Sequence, residues 1–293
     1  MQKTNSKFSF PVPIEEKIIE TGFMREVMNR TLTVHPGNVL WYGYSRAGKT
    51  TTARHMVKTI NEAFDPYDPF AFRASHYEVG EIKAWSGNEQ KKGLKSLYNA
   101  ALGKLDEGLY RTDPAETIVE QLILGLMRKN IQMIFIDEAG NLSLDAIRGI
   151  IMAYDAAKNL EHPLSLIFVG MDDLPTKVLK LPQVKGRIHE WCYFEPYDLE
   201  GVKELIVNIY PQFFNFEDST ETADIVECIY ELCGGFPGLI IPFLRKVERN
   251  QKRDNEKITT KYIRTIHLRT TIDQTSAINK SNEINKSAPK STK

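Results

Sequence analysis

Five short runs rich in apolar residues, each typical of a β-strand, are spread over the first two thirds of the chain. They cover residues 39–42, 70–79, 131–136, 164–169 and 191–194. The runs at 131–136 and 164–169 are almost continuously apolar, which is the pattern of strands that are buried on both faces of a parallel sheet. We therefore expect a central parallel sheet.

Between these runs apolar residues recur at helical spacing, and after residue 199 only helical patterns remain. The predicted helices cover residues 14–30, 51–61, 87–104, 113–129, 143–159 and, less regularly, 174–190, then 199–210, 220–232, 237–249 and 259–268. Alternating strands and helices followed by helices alone predict an α/β domain with a small all-helical lid. The expected divisions are a flexible arm, the α/β domain, the lid and a disordered basic tail, over 1–13, 14–197, 198–270 and 271–293.

The composition narrows the setting without deciding the function. Acidic and basic side chains balance at 38 each, so net charge gives no reason to expect nucleic acid or membrane binding. From residue 245 onward, thirteen Lys or Arg stand against five Asp or Glu, which fits a solvated helix and tail as well as contact with a polyanion. The three cysteines fit neither a disulfide framework nor a zinc site. With no apolar stretch of membrane-spanning length and no signal-peptide pattern at residues 1–10, we expect a cytoplasmic protein.

Residues 43–50 read Gly-Tyr-Ser-Arg-Ala-Gly-Lys-Thr, the phosphate-binding P-loop pattern, between a predicted strand and a predicted helix. Gly43 and Gly48 allow the backbone to turn its N–H groups inward, which forms an anion site at a helix N-terminus. Lys49 can then reach the β- and γ-phosphates of ATP, and the Thr50 hydroxyl can bind Mg²⁺. The alternative is a glycine-rich turn that matches by chance. The loop residues expected to contact the nucleotide are Gly43, Ser45, Arg46, Ala47, Gly48, Lys49, Thr50 and Thr51.

An acidic pair, Asp137-Glu138, follows the apolar run at 131–136, at the strand end where ligands bind in open α/β sheets. Asp137 is suited to hold Mg²⁺ through water, and Glu138 to orient and deprotonate the attacking water. The alternative is a pair of solvated carboxylates at a strand end. In combination with the P-loop, the pair predicts a Mg²⁺-dependent ATPase.

Two further residues are candidates for the same chemistry. Asp172 follows the run at 164–169, where a polar group can lie near the γ-phosphate, although a turn or helix cap explains it equally well. Arg187 suits an arginine finger that reaches the γ-phosphate of a neighbouring subunit, and its alternative is a surface salt bridge.

These motifs together resemble those of the AAA+ ATPases and, among them, the transposition regulators of the TnsC, TniB and IstB type. The similarity rests on Ser-Arg-Ala-Gly-Lys-Thr at 45–50, Ile-Asp-Glu-Ala-Gly-Asn-Leu at 136–142, Phe-Val-Gly-Met-Asp-Asp-Leu at 168–174, and the lid motif Gly-Gly-Phe-Pro-Gly at 234–238. It covers about residues 14–270. The resemblance implies a P-loop AAA+ domain followed by a helical lid.

The resemblance also implies a mode of action. Such a protein assembles with ATP into a ring or helical filament on duplex DNA, without sequence preference, and hydrolysis drives its disassembly. It recruits or licenses a TnsB-like transposase at the target site, with a TniQ-type target selector as a further partner. The implied DNA contacts, which also fit a solvated helix surface, are Lys83, Lys91, Lys92, Lys95, Lys104 and Arg111. Relatives often carry an Arg after the lid glycine, but here Leu239 follows Gly238 and the next Arg is Arg245, which leaves a lid sensor unassigned.

Three other functions fit the same motifs. One is a P-loop ATPase switch of an antiphage or signalling system, in which the lid controls an effector rather than DNA. Another is a nucleotide-bound scaffold that barely turns over. A small-molecule kinase is disfavoured, because an Asp-Glu pair supplies a base for water.

Overall fold

The computed structural model describes residue 18 and residues 20–79, 89–102, 114–211, 219–254 and 256–269. At its centre is a sheet whose strands are β1 (Asn38–Gly43), β2 (Arg73–Glu78), β3 (Ile131–Asp137), β4 (Ser165–Val169) and β5 (Ile188–Phe194). The strands lie in the order β2-β3-β4-β1-β5, and every neighbouring pair is parallel. The predicted central parallel sheet is therefore confirmed.

Helices cover both faces of this sheet. They are α1 (Gly22–Thr33), α2 (Lys49–Glu62), α3 (Glu89–Leu102), α4 (Ala115–Lys129), α5 (Leu144–Asn159), α6 (Leu174–Leu179) and α7 (Pro182–Lys185). α1 and α2 pack on the face that carries Trp41 and Phe135, whereas α3 to α7 pack on the face that carries Leu40 and Phe168. Burial on both faces explains why β3 and β4 are so continuously apolar.

After β5 the described chain is helical, with α8 (Leu199–Ile209), α9 (Ser219–Cys233), α10 (Pro237–Asp254) and α11 (260–269). These helices enclose a hydrophobic cluster of their own that includes Ile229, Leu244 and Ile263. Phe23 of α1 joins the two parts, since its ring lies 5.2 Å from that of Phe194 and 6.0 Å from that of Tyr197. The α/β domain and its small all-helical lid are thus confirmed.

Two element boundaries differ from the sequence predictions. α1 begins at Gly22 rather than residue 14, because the Thr21 hydroxyl caps it by accepting the N–H of Met24. β5 begins at Ile188, inside the segment predicted to be helical up to residue 190, because Ile188 pairs with Asn38 of β1. Polar residues are tolerated there since β5 is an edge strand.

The predicted arm over 1–13 and tail over 271–293 lie outside the described residues. Among the helices that the structure does describe, none is both long enough and apolar enough to cross a bilayer.

Candidate nucleotide-binding site

The P-loop connects the end of β1 to the start of α2. Gly43 has a φ of 141°, and a Cβ at this position would lie 2.1 Å from the carbonyl oxygen of Phe194 on β5, so a larger residue would collide with the neighbouring strand. Gly48 has a φ of 97° and caps α2 without a side-chain hydrogen bond. Because the first N–H groups of a helix lack intrahelical acceptors, the first turn of α2 is open to an anion. The loop has the backbone geometry that a phosphate site requires.

The Lys49 side chain is drawn into this loop. Only 9% of the residue is exposed, and Nζ donates to the P-loop carbonyl oxygens of residues 43 and 44 at 2.8 and 2.5 Å. Burial lowers the pKa of Lys49, while the carboxylates of Asp172, Asp137 and Glu138 oppose that shift. The structure therefore brings all three predicted acidic residues around the predicted phosphate-binding lysine.

Asp137 ends β3 and is 2% exposed. Burial alone would raise the pKa of this carboxyl, but hydrogen bonds from His76, from Thr50 and from the N–H of Glu138 outweigh it, so the pKa lies below its ordinary value. An ionised carboxylate beside a threonine hydroxyl offers hard oxygen donors to Mg²⁺, which keeps several of its own waters. Thr50 and Asp137 thus fit the magnesium site that the sequence predicts.

His76 is a site residue that the sequence did not reveal. Its Nε2 lies 3.2 Å from Oδ2 of Asp137, although it belongs to β2, where Glu78 rather than His76 is opposite Asp137 in the strand register. The contact is therefore a diagonal one between two neighbouring parallel strands. It depends on the strand register, of which the chain carries no local signal.

Glu138 turns the chain sharply at the end of β3. Its φ of 57° lies in the left-handed region, which costs an L-residue roughly 1–2 kcal/mol. A 3-10 turn (Ala139–Asn141) follows, and the exposed Glu138 carboxylate lies 3.5 Å from Nδ2 of Asn141. A strained, exposed acid next to the magnesium-site carboxylate suits a general base, since strained backbone concentrates at functional sites.

Asp172 lies in the loop after β4, the strand between β3 and β1 in the sheet. Of the charges that act on Lys49, this carboxylate has the largest effect. Because β1 and β4 are parallel, the loop after β4 lies at the same end of the sheet as the P-loop, and a role for Asp172 near the γ-phosphate stays a prediction.

Arg187 lies at the opposite end of the sheet. Ile188 pairs with Asn38 at the start of β1, whereas Phe194 pairs with Gly43 at the P-loop, so Arg187 is about 20 Å from the loop at 3.3 Å per strand residue. Its Nε donates to Oδ1 of Asp155 at 2.7 Å, with 36% and 40% of the two side chains exposed. Arg187 is thus in the surface salt bridge that the sequence left open, and it does not reach the P-loop of its own chain.

The lid touches the P-loop through the start of α10. The N–H of Gly238 donates to the carbonyl oxygen of Arg46 at 3.0 Å, and the Phe236 ring lies 6.0 Å from that of Tyr44. Leu239 is 37% exposed beside this contact, where relatives often carry an Arg. Arg245 does not replace that Arg, because its side chain hydrogen-bonds to Tyr210 inside the lid.

The predicted DNA contacts are only partly available. Lys95 is 3% exposed, which is a correction: α3 is packed against α4, α5 and β2, and this lysine is buried within the fold rather than presented to DNA. Lys92 forms an ion pair with Glu89, and Lys91 is half-buried. Lys83, Lys104 and Arg111 lie outside the described residues.

A five-stranded parallel sheet with a P-loop after β1, an acidic pair after β3 and a helical lid defines the P-loop nucleotide-binding class of proteins. The family model described as "AAA domain" matches residues 32–178. The chain therefore belongs to the AAA domain family, and its fold is that of a AAA+ ATPase. None of the curated proteins matches the sequence.

Solved structures with the same fold include ORC and Cdc6 proteins. The ORC2 protein of Aeropyrum pernix, determined as ADPNP–ADP complexes, aligns with a TM-score of 0.61 at 14% identity, over 84% of this chain and 65% of that one. The ORC1 protein of the same organism, in complex with DNA, gives 0.56 at 18% identity, over 87% and 66%. Cdc6p of Pyrobaculum aerophilum gives 0.58 at 16% identity, over 80% and 62%. The chain thus spans slightly less than two thirds of these proteins, and the likeness shows a shared fold.

Proposed function

We propose that this chain is a Mg²⁺-dependent ATPase that assembles on duplex DNA and regulates transposition. The observation that carries the ATPase is the meeting of the P-loop with the end of β3: Thr50, next to the buried Lys49, hydrogen-bonds to the carboxylate of Asp137. Two strand ends supply these groups, and such a meeting at the carboxyl ends of parallel strands is the arrangement of a ligand site.

The chain's own groups divide the chemical work. The N–H groups of the P-loop and Lys49 would bind the β- and γ-phosphates, and Thr50 and Asp137 would hold Mg²⁺, which would draw charge from the phosphate oxygens. Glu138 orients the attacking water and takes its proton as ADP and phosphate form. Because Leu239 offers no charge from the lid, we expect hydrolysis to be slow in a single chain.

Arg187 supports a role for assembly. It is too far from its own P-loop to act there, and it is held on the surface by an ion pair with Asp155 and by a hydrogen bond from Nη1 to the carbonyl oxygen of Gln183. A guanidinium presented in this way can reach the γ-phosphate of an adjacent copy, where an arginine finger stabilises the transition state. A head-to-tail contact of this kind produces rings or helical filaments.

The link to DNA and transposition rests on the sequence resemblance to the TnsC, TniB and IstB type. The structure of the ORC1 protein in complex with DNA adds that a protein of this fold can act on DNA. The proposed partners are duplex DNA bound without sequence preference, further copies of the chain, a TnsB-like transposase and a TniQ-type target selector, all in the cytoplasm.

The decisive experiment is a gel shift with random-sequence duplex DNA at low salt, with and without a non-hydrolysable ATP analogue, followed by negative-stain imaging. We expect analogue-dependent retardation that weakens as salt rises, together with rings or filaments. Lys49→Ala is the control, and we expect it to show neither. A protein that hydrolyses ATP but never retards DNA would contradict the DNA-binding part of the proposal.

One observation favours a second candidate function, a nucleotide switch that does not act on DNA. On α3, Lys95 is buried and Lys92 is held by Glu89, so this helix presents fewer free cations than the sequence suggests. The same gel shift separates the two functions, because a switch would bind nucleotide and leave the DNA unshifted.

A further inference from the structure

The loop that carries Glu138 is held from outside by a lysine. Nζ of Lys177, on α6, donates to the carbonyl oxygens of Gly140 at 2.5 Å and Leu142 at 2.8 Å. These carbonyls belong to the 3-10 turn that begins directly after Glu138 and to the residue that ends it. An ammonium that bonds two carbonyls two residues apart in one turn fixes the path of the backbone between them.

The same turn is also pressed against the loop that carries Asp172. A Cβ at Gly170 would lie 3.3 Å from the backbone nitrogen of Gly140, and a Cβ at Gly140 would lie 3.5 Å from the carboxylate of Asp173. The loop after β3 and the loop after β4 are therefore in close contact, and Lys177 bridges them because α6 begins at Leu174, directly after the second loop.

Glu138 needs such support. Its left-handed backbone conformation is unfavourable for any residue other than glycine, and it persists only where surrounding contacts determine it. The N–H of Glu138 donates to its neighbour Asp137 at 2.9 Å, which fixes the peptide before the strained residue. Lys177 provides the corresponding anchor after it, on the other side of the turn.

We propose that Lys177 is a positioning residue for ATP hydrolysis, which fixes the direction of the Glu138 carboxylate and couples the Glu138 loop to the Asp172 loop. The inference rests on the proposed ATPase activity. Lys177 contacts neither nucleotide nor metal in this role, so it governs the chemical step and leaves nucleotide binding to the P-loop.

The test compares Lys177→Met, Lys177→Arg and Lys180→Met with the wild-type protein. Methionine keeps the aliphatic stem without the donor, arginine restores donors, and Lys180 is an exposed lysine of the same segment that serves as matched control. We expect Lys177→Met to lower kcat by about tenfold to a hundredfold, the scale of a misplaced catalytic group, with KM for ATP little changed. We expect Lys177→Arg to recover part of kcat and Lys180→Met to match the wild type.

Each outcome bears on one proposal. If the wild-type protein hydrolyses ATP and Lys177→Met does so at the same kcat, or loses nucleotide affinity as strongly as kcat, Lys177 is not a positioning residue. If the wild-type protein does not hydrolyse ATP, the proposed function fails, and amide hydrogen exchange then tests the anchor itself. We expect faster exchange over residues 138–142 and 170–173 in Lys177→Met than in Lys180→Met, and equal exchange would overturn the inference.

Discussion

The sheet uses polar side chains in opposite ways at the end where its strands finish and at the end where they begin. At the P-loop end of the sheet, where β1, β3 and β4 finish, burial lowers the pKa of Lys49 and the carboxylates of Asp172, Asp137 and Glu138 oppose that shift. At the opposite end of the sheet, where the strands begin, polar side chains are held by hydrogen bonds within the fold: Nδ1 of His35 lies 2.7 Å from Oγ of Ser165, and that Oγ also accepts the N–H of Gly37 at 3.0 Å. The difference teaches that a polar side chain at a strand end is structural when its hydrogen bonds close within the fold. A polar side chain at a strand end indicates a ligand site when it is partly buried close to side chains of opposite charge.

Two glutamates make the comparison specific. Glu138 and Glu161 have φ values of 57° and 54°, so both carry left-handed strain. Glu138 follows β3 at the P-loop end of the sheet, whereas Glu161 precedes β4 at the opposite end. Because their φ values are nearly the same, the pair compares a strained glutamate at the P-loop end of the sheet with a strained glutamate at the opposite end.

The largest expected effect is on Glu138→Gln. We expect the rate of ATP hydrolysis to fall by about a thousandfold, within the range for loss of a general base, while affinity for the nucleotide and the thermal midpoint stay near wild-type values. Steady-state phosphate release and titration with a fluorescent ATP analogue measure the two quantities. The matched control is Glu161→Gln, which should hydrolyse normally, and normal hydrolysis by Glu138→Gln would show that the catalytic assignment is wrong.

A substitution of Arg187 tests whether the polar residues at the opposite end of the sheet are purely structural. We expect Arg187→Ala to lower turnover by about tenfold or more, as loss of an arginine finger does, but only at protein concentrations where chains assemble. The measurement is ATPase rate against protein concentration. Asp155→Ala breaks the same ion pair and keeps the guanidinium, so equal losses in both variants would reduce the pair to a surface salt bridge.

The smallest expected effect concerns pH and His35. Burial lowers the pKa of His35, against the hydrogen bond with Gln132, and nearby His162 lowers it further. As pH falls below the unfolded-state pKa of about 6.5, the His35 side chain therefore takes up a proton in the unfolded chain but not in the folded chain. The free energy of unfolding decreases as pH falls further, until pH passes the folded-state pKa. Urea unfolding between pH 7.5 and 5.5 should show a shallower loss for His35→Gln than for the wild type, with analogue binding unchanged at pH 7.5, and equal slopes would contradict the assignment.

Local patterns were enough to predict most of the fold. β3 was predicted over 131–136 and observed over Ile131–Asp137, and β4 was predicted over 164–169 and observed over Ser165–Val169. Buried parallel strands can be recognised in the sequence because both of their faces must be apolar. The start of α1 was missed because the apolar spacing continues upstream of the Thr21 cap.

The site was predictable only where its chemistry is contiguous in sequence. The P-loop and Asp137-Glu138 are single stretches, and the structure brings them together. The contact of His76 with Asp137 depends on strand register, and that of Lys177 with Leu142 depends on how α6 packs. Burial of Lys95 likewise follows from the packing of α3 among α4, α5 and β2, which helical periodicity does not reveal.

The anchoring of α10 on the P-loop has a mechanical consequence. This helix has 18 residues, with Pro242 in its interior, so it is an arm about 27 Å long, and a tilt of about 10° at its pinned end displaces the other end by about 5 Å. The pin is the hydrogen bond from Gly238 to the carbonyl oxygen of Arg46, a peptide group within the loop that would surround the phosphates. A rotation of that one peptide is therefore magnified into movement at the distal end of the lid.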